Sequence, residues 1–190
     1  MGKKQKSAKI MAIVVIIALI LLMVKNHFNN RDKLILDVAV SCITIIILYK
    51  NYKRLNLTNL SFGLALFAFL LHNLDIYDKY FLMLKFDHYM HFVGGFAVAS
   101  IFDRLMHEKM RLGKRWFFLL MLSLGIGAAY EMMEYAGYVF LGEGPGMFFY
   151  GLGDEGQWHN AILDLVFNSI GAIFYCTARS LFPRYFSVRE

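Results

Sequence analysis

The residues with the most chemistry to offer stand where charge is hardest to place. Asp87-His88-Tyr89-Met90-His91 opens one long apolar run, Glu131 and Glu134 lie late in another, and Asp164 and Asn168 lie early in a third. Ionisable side chains within such runs are costly and mark functional positions by default. Asp87 and His91 are four apart, His88 and His91 three, Glu131 and Glu134 three, and Asp164 and Asn168 four. Each pair can share one helix face. Carboxylates beside imidazole suit a divalent metal such as Zn, Fe or Mn. The same groups suit general acid–base work, because neighbouring carboxylates in an apolar site cannot both ionise freely. Candidate catalytic groups are therefore Asp87, His91, Glu131, Glu134 and Asp164. Candidate metal ligands are His88, His91, Glu131, Glu134 and Asp164.

The runs that carry these groups belong to a membrane protein. Hydrophobic residues make up 58% of the 190-residue chain and charged residues 18%, a balance that a soluble domain of this length would not show. The formal net charge of +6 sits in short clusters between apolar runs, which reads as orientation in a bilayer and excludes a nucleic-acid partner. Cys42 and Cys176 both fall inside apolar runs, as small buried hydrophobes.

Six spans are expected: residues 10–24, 34–49, 57–74, 87–105, 116–141 and 159–182. The fold class is an all-α membrane bundle, multi-pass in the cell (inner) membrane. Residues 1–33 form a basic arm with an uncleaved anchor helix, and residues 34–190 the helical membrane domain. Lys and Arg concentrate in the N-terminal arm, the loops at 50–54 and 107–115 and the C-terminal tail. The loop at 142–158 carries acids and no Lys or Arg. The positive-inside rule then puts both termini in the cytoplasm. Asp37, near the start of the second span, reads as a solvated interfacial group. His72, His107 and His159 read singly as surface histidines, His159 gaining interest because it tops the sixth span.

Topology brings the polar groups to one depth. Glu131 lies about 22 Å along its span from Trp116, in the outer part of a core about 30 Å thick. Asp164 and Asn168 lie about 8 Å and 14 Å below His159. All meet on the extracytoplasmic side with Asp87 and His91. Gly94, Gly95 and Gly171 are among the small residues that let spans four to six approach closely, the main source of helix association in lipid. Asp154, His159 and Asn168 complete the expected pocket.

The ordered set Asp87-His88-x-x-His91-Phe92 with Gly94 and Gly95, then Glu131-x-x-Glu134, then Gly153-Asp154, Trp158, Asp164, Asn168 and Gly171 resembles VanZ-like membrane proteins. It is closer to a related inner-membrane family of unknown function, of the DUF2238 type. The resemblance covers residues 70–180 and implies a polytopic protein with an extracytoplasmic polar pocket. The VanZ-like pattern has Glu-x-x-Gln and a following loop arginine, whereas this chain has Glu131-x-x-Glu134 and no arginine in residues 142–158. The resemblance therefore implies the site, not a role in glycopeptide resistance.

Three functions remain open on these residues. One is a hydrolase-type enzyme acting on a lipid or lipid-linked substrate, with a divalent metal as cofactor. Another is a non-catalytic transporter or binding protein receiving an ion or headgroup. The third is a structural or assembly protein whose acids hold helices together. Bound metal separates the first from the third.

Overall fold

The computed structural model describes residues 3–29, 34–74, 76, 79–106, 110–141 and 154–186. Six helices occupy the six expected segments: α1 (Lys3–Phe28), α2 (Leu34–Lys50), α3 (Asn59–His72), α4 (Phe86–Asp103), α5 (Leu112–Leu141) and α6 (Asp154–Leu181), with a short α7 (Pro183–Phe186) after them. Three of them are long and apolar enough to cross a membrane, over Gln5–Phe28, Leu112–Phe140 and Trp158–Leu181. The others are shorter or carry more polar groups. The 14 residues of α3 reach only about 21 Å, short of an apolar core of about 30 Å.

Local chemistry sets the helix boundaries that matter. Thr58 and Ser61 form a reciprocal capping box, Ser61 N–H donating to Thr58 Oγ1 at 3.1 Å and Thr58 N–H to Ser61 Oγ at 2.9 Å. This fixes where α3 starts. Before α4 the chain makes a two-stranded antiparallel ribbon, β1 (Tyr80–Phe81) and β2 (Leu84–Lys85). Its turn puts Leu82 and Met83 at φ 46° and 71°, a left-handed conformation usually given to Asn or Gly. Nothing in the sequence announces that turn.

The helices pack as two groups joined by α4. Leu19, Ile45 and Phe62 centre one apolar cluster on α1, α2 and α3. Ala99, Leu119, Ala172 and Tyr175 centre the other on α4, α5 and α6. The tightest pairing is α4 on α6, made possible by glycine. A Cβ on Gly95 would collide with the Asn168 backbone, and one on Gly171 with the Phe92 carbonyl. Ser123 of α5 donates to the Gly95 carbonyl at 3.2 Å, closing the third side.

Along α6 the outward face is apolar and much of the inward face is polar. On α6, Ile162, Val166, Ile170 and Phe174 are exposed while Asn160, Asp164 and Asn168 are buried. That is the reverse of a soluble amphipathic helix and fits a lipid surround. Asp37 corrects its sequence reading: it is 2% exposed, not solvated, because helix packing covers a position that distance from the helix end alone would leave open.

The close approach can be tested by thermal unfolding in detergent. Gly95→Ala and Gly171→Ala should each lower stability by about 1–3 kcal/mol, since neither backbone neighbour can move aside. Gly125→Ala, with open space around its Cα, should be neutral or slightly stabilising.

Candidate functional site

The first turns of α4 and α6 and the later half of α5 meet at one end of the bundle. There, His91 Nε2 lies 3.7 Å from Asp87 Oδ1, 3.7 Å from Glu131 Oε1 and 3.7 Å from Asp164 Oδ2. All four side chains are buried, Asp164 completely. Ligand atoms of Asp87, His91 and Asp164 fall within 4.8 Å of one another, close enough to share one metal ion. Donors about 2.1 Å from a tetrahedral ion sit about 3.4 Å apart, so the 3.7 Å spacings from His91 need only a small contraction, while the Asp87 and Asp164 oxygens, within 4.8 Å of each other, would draw together by up to about 1.4 Å.

A surrounding set of groups holds the four in place. His88 Nδ1 lies 3.2 Å from Asp164 Oδ1, and its ring stacks on Phe167 at 4.8 Å with the planes 3° apart. Asn160 Nδ2 donates to Asp164 Oδ2 at 2.5 Å and to Asp87 Oδ2 at 3.4 Å. The Asn168 amide contacts His91 Nδ1 at 3.2 Å. Gly127 leaves the room for that amide, which a Cβ there would meet directly, and Gly95 leaves room for the Asn168 backbone.

Glu131 differs from the other acids. It is 7% exposed, and neither of its oxygens has a hydrogen-bond partner. A buried carboxylate without donors is expensive, more so beside two other acids. Among the described residues neither Glu131 nor Asp164 forms an ion pair with Lys or Arg. The arrangement thus gathers three carboxylates around one imidazole, with Lys85 the cation whose charge reaches Asp164.

The other end of the bundle shows how the same chain settles a buried acid. Asp103 accepts from Arg115 Nε at 2.5 Å and from the Tyr175 hydroxyl at 2.9 Å, and pairs with Arg179, whose Nε lies 2.6 Å from Oδ2. Its backbone carbonyl accepts from Arg115 Nη2 at 3.0 Å. Two guanidiniums on one carboxylate make a structural network joining α4, α5 and α6.

A family model described as a predicted membrane protein, DUF2238, matches residues 8–184. The chain belongs to that family. The match runs from α1 to α7, well beyond the residues 70–180 that carry the motif resemblance. Neither a curated protein nor a solved structure matches the chain.

In this DUF2238 protein the structure brings together Asp87, His91, Glu131 and Asp164, and places Asn168 and His88 against them. Gly94, Gly95 and Gly171 lie at the α4–α6 seam. Glu134 is half-buried, hydrogen-bonds Tyr130 and feels the charges of Glu131, Asp87 and Asp164. His159 is exposed, and the buried position one residue on belongs to Asn160. His72, expected at the surface, is instead half-buried and meets Tyr130 edge-on at 5.9 Å. The side chain of Asp154, the loop at 142–153 and His107 lie outside the described residues.

Two sets of residues escaped sequence reasoning. Asn160 carries a readable signal, since Asn160, Asp164 and Asn168 repeat every four residues along one face of α6. The Asp103 network carries a weaker one: Arg115 and Arg179 count in sequence as topology charges, and nothing local pairs them with Asp103. Removing the acid should leave two guanidiniums without their counter-charge. Asp103→Ala should therefore cost about 3–5 kcal/mol in a detergent melt while leaving any metal content unchanged.

Proposed function

We propose that this protein is a membrane-embedded metalloenzyme of the hydrolase type. Asp87, His91 and Asp164 hold one divalent cation, and Glu131 stands beside it as the acid–base group. The observation that carries the reading is the convergence of three buried carboxylates on His91 Nε2, one of them with no hydrogen bond at all. Three protein ligands and an open position are the pattern of catalytic sites, as opposed to closed structural ones. One nitrogen and several oxygens suit Zn²⁺, Mn²⁺ or Fe²⁺. When bound, such an ion supplies Lewis acidity and an acidified water.

The chain's own residues prepare the rest. His88 and Asn160 each hold one oxygen of the Asp164 carboxylate and so fix its plane. Metal binding would require His91 Nε2 to present its lone pair and Nδ1 to carry the proton, so the Asn168 amide, whose Nδ2 now faces Nδ1 at 3.2 Å, would have to flip and accept with its oxygen. Glu131 Oε1, free of donors among the described residues, would take a proton from an attacking water and return it to a leaving group. The six-span reading with both termini cytoplasmic puts this centre on the extracytoplasmic side of the cell membrane. A lipid or lipid-linked envelope molecule is the substrate class that reaches it there.

Elemental analysis of protein purified without chelator tests the centre. Wild type should carry about one equivalent of a divalent transition metal, and His91→Ala and Asp164→Asn should lose it. Glu131→Gln should keep the metal and lose turnover. Asn168→Leu should weaken metal affinity by about 10–100-fold through the freed His91 ring. Wild type that takes up no Zn²⁺, Mn²⁺ or Fe²⁺ when loaded would make the acids inter-helix polar contacts instead.

A further inference from the structure

A groove of about 250 Å³ lies between α2, α3, α4 and α5, half open on its side. Leu48, Ala68, Val98 and Ile101 give it apolar walls; Tyr130, Asn168 and His91 give it a polar end. The groove exists because α2 leans on α1 and packs only lightly on α3. From Met90 to Ile101 it follows α4 for about 16 Å, half the thickness of an apolar membrane core of about 30 Å. Cavities of about 150 Å³ with aliphatic walls stay dry and take up apolar molecules, so water is not the natural filling here.

We infer that this groove holds one hydrocarbon chain of an amphipathic lipid whose anionic head rests on the cation centre. The inference rests on the metalloenzyme reading and names its substrate class. Two features choose a lipid chain over other occupants. The polarity is graded along the groove, polar at the bundle end that holds His91 and apolar towards the middle, as a lipid is graded from head to tail. The length also matches one leaflet. A divalent ion beside Asp87 and Asp164, at the polar end, would complement a phosphate ester and not a cationic head.

The other wall features fit the same occupant. Ala65, Ala68, Gly94 and Ala97 keep the floor low where larger residues would fill it. A Cβ at Gly94 would meet only Asn168 Oδ1 at 3.8 Å, so this glycine's missing side chain is space in the groove and not a helix contact.

The test uses the full chain in vesicles of phosphatidylethanolamine and phosphatidylglycerol, doped with a phosphatidylglycerol bearing a diazirine midway along one acyl chain. After irradiation, adducts should concentrate on peptides containing Val40 and Val98. They should fall several-fold in Ala68→Phe and in Val40→Phe, which fill the groove from two different helices. Metal content in both variants should stay at the wild-type level, which separates this inference from the reading beneath it. A metal-free wild type that still gives the groove adducts would overturn the metal centre and leave the chain-binding groove standing. Adducts spread over outward residues such as Ile17, Leu21 and Ile170, or undiminished in both filled variants, would overturn the groove.

Discussion

A carboxylate removed from water needs a counter-charge, and that one constraint organises both ends of this bundle. At one end Asp103 has two guanidiniums and a tyrosine hydroxyl, all from α5 and α6. At the other, Asp87, Glu131 and Asp164 share His91 and a set of neutral amides. Low dielectric strengthens both the attraction at the first and the repulsion at the second. The contrast lies within a single chain, between acids buried to a similar degree. It is the contrast behind reading one end as structure and proposing the other as a metal site.

Glycine transmits that constraint into geometry. Gly95 and Gly171 let α4 and α6 approach until the Asn168 backbone meets α4 directly. The same approach seats the Asn168 amide against His91 and sets Asp164 opposite Asp87. Helices in lipid gain little from burying apolar surface, so this contact geometry has to come from small residues and polar pairs. The site and the packing are therefore one feature, seen at different scales. A larger residue at Gly95 would disturb the imidazole as much as the helix pair.

Much of this was legible in the sequence, because two of its signals are periodic. Hydrophobic run length marked six helical segments, and four-residue spacing put Asp87 with His91 and Asp164 with Asn168. Counting along each helix then put these groups near one end of the bundle. What counting cannot give is the direction in which a side chain leaves the helix relative to its neighbours. Glu134 shares a helix with Glu131 and is three residues on, yet turns to Tyr130. His159 sits one residue from Asn160 and faces out. Asp37 looked interfacial because its distance from the helix end is local, whereas its cover by helix packing is not. The turn at Leu82-Met83 was invisible for another reason: its residues contradict the chemistry that usually marks such a turn.

The most direct measurement of the central claim is a thermal melt of the purified protein, with and without a strong chelator. If a cation balances the acids at His91, chelation should lower the melting temperature of wild type and added Mn²⁺ or Zn²⁺ should restore it. The Asp87→Asn/Asp164→Asn double variant, with the excess charge removed, should melt at one temperature under all three conditions. A wild-type melting temperature that neither chelator nor metal moves would contradict the account.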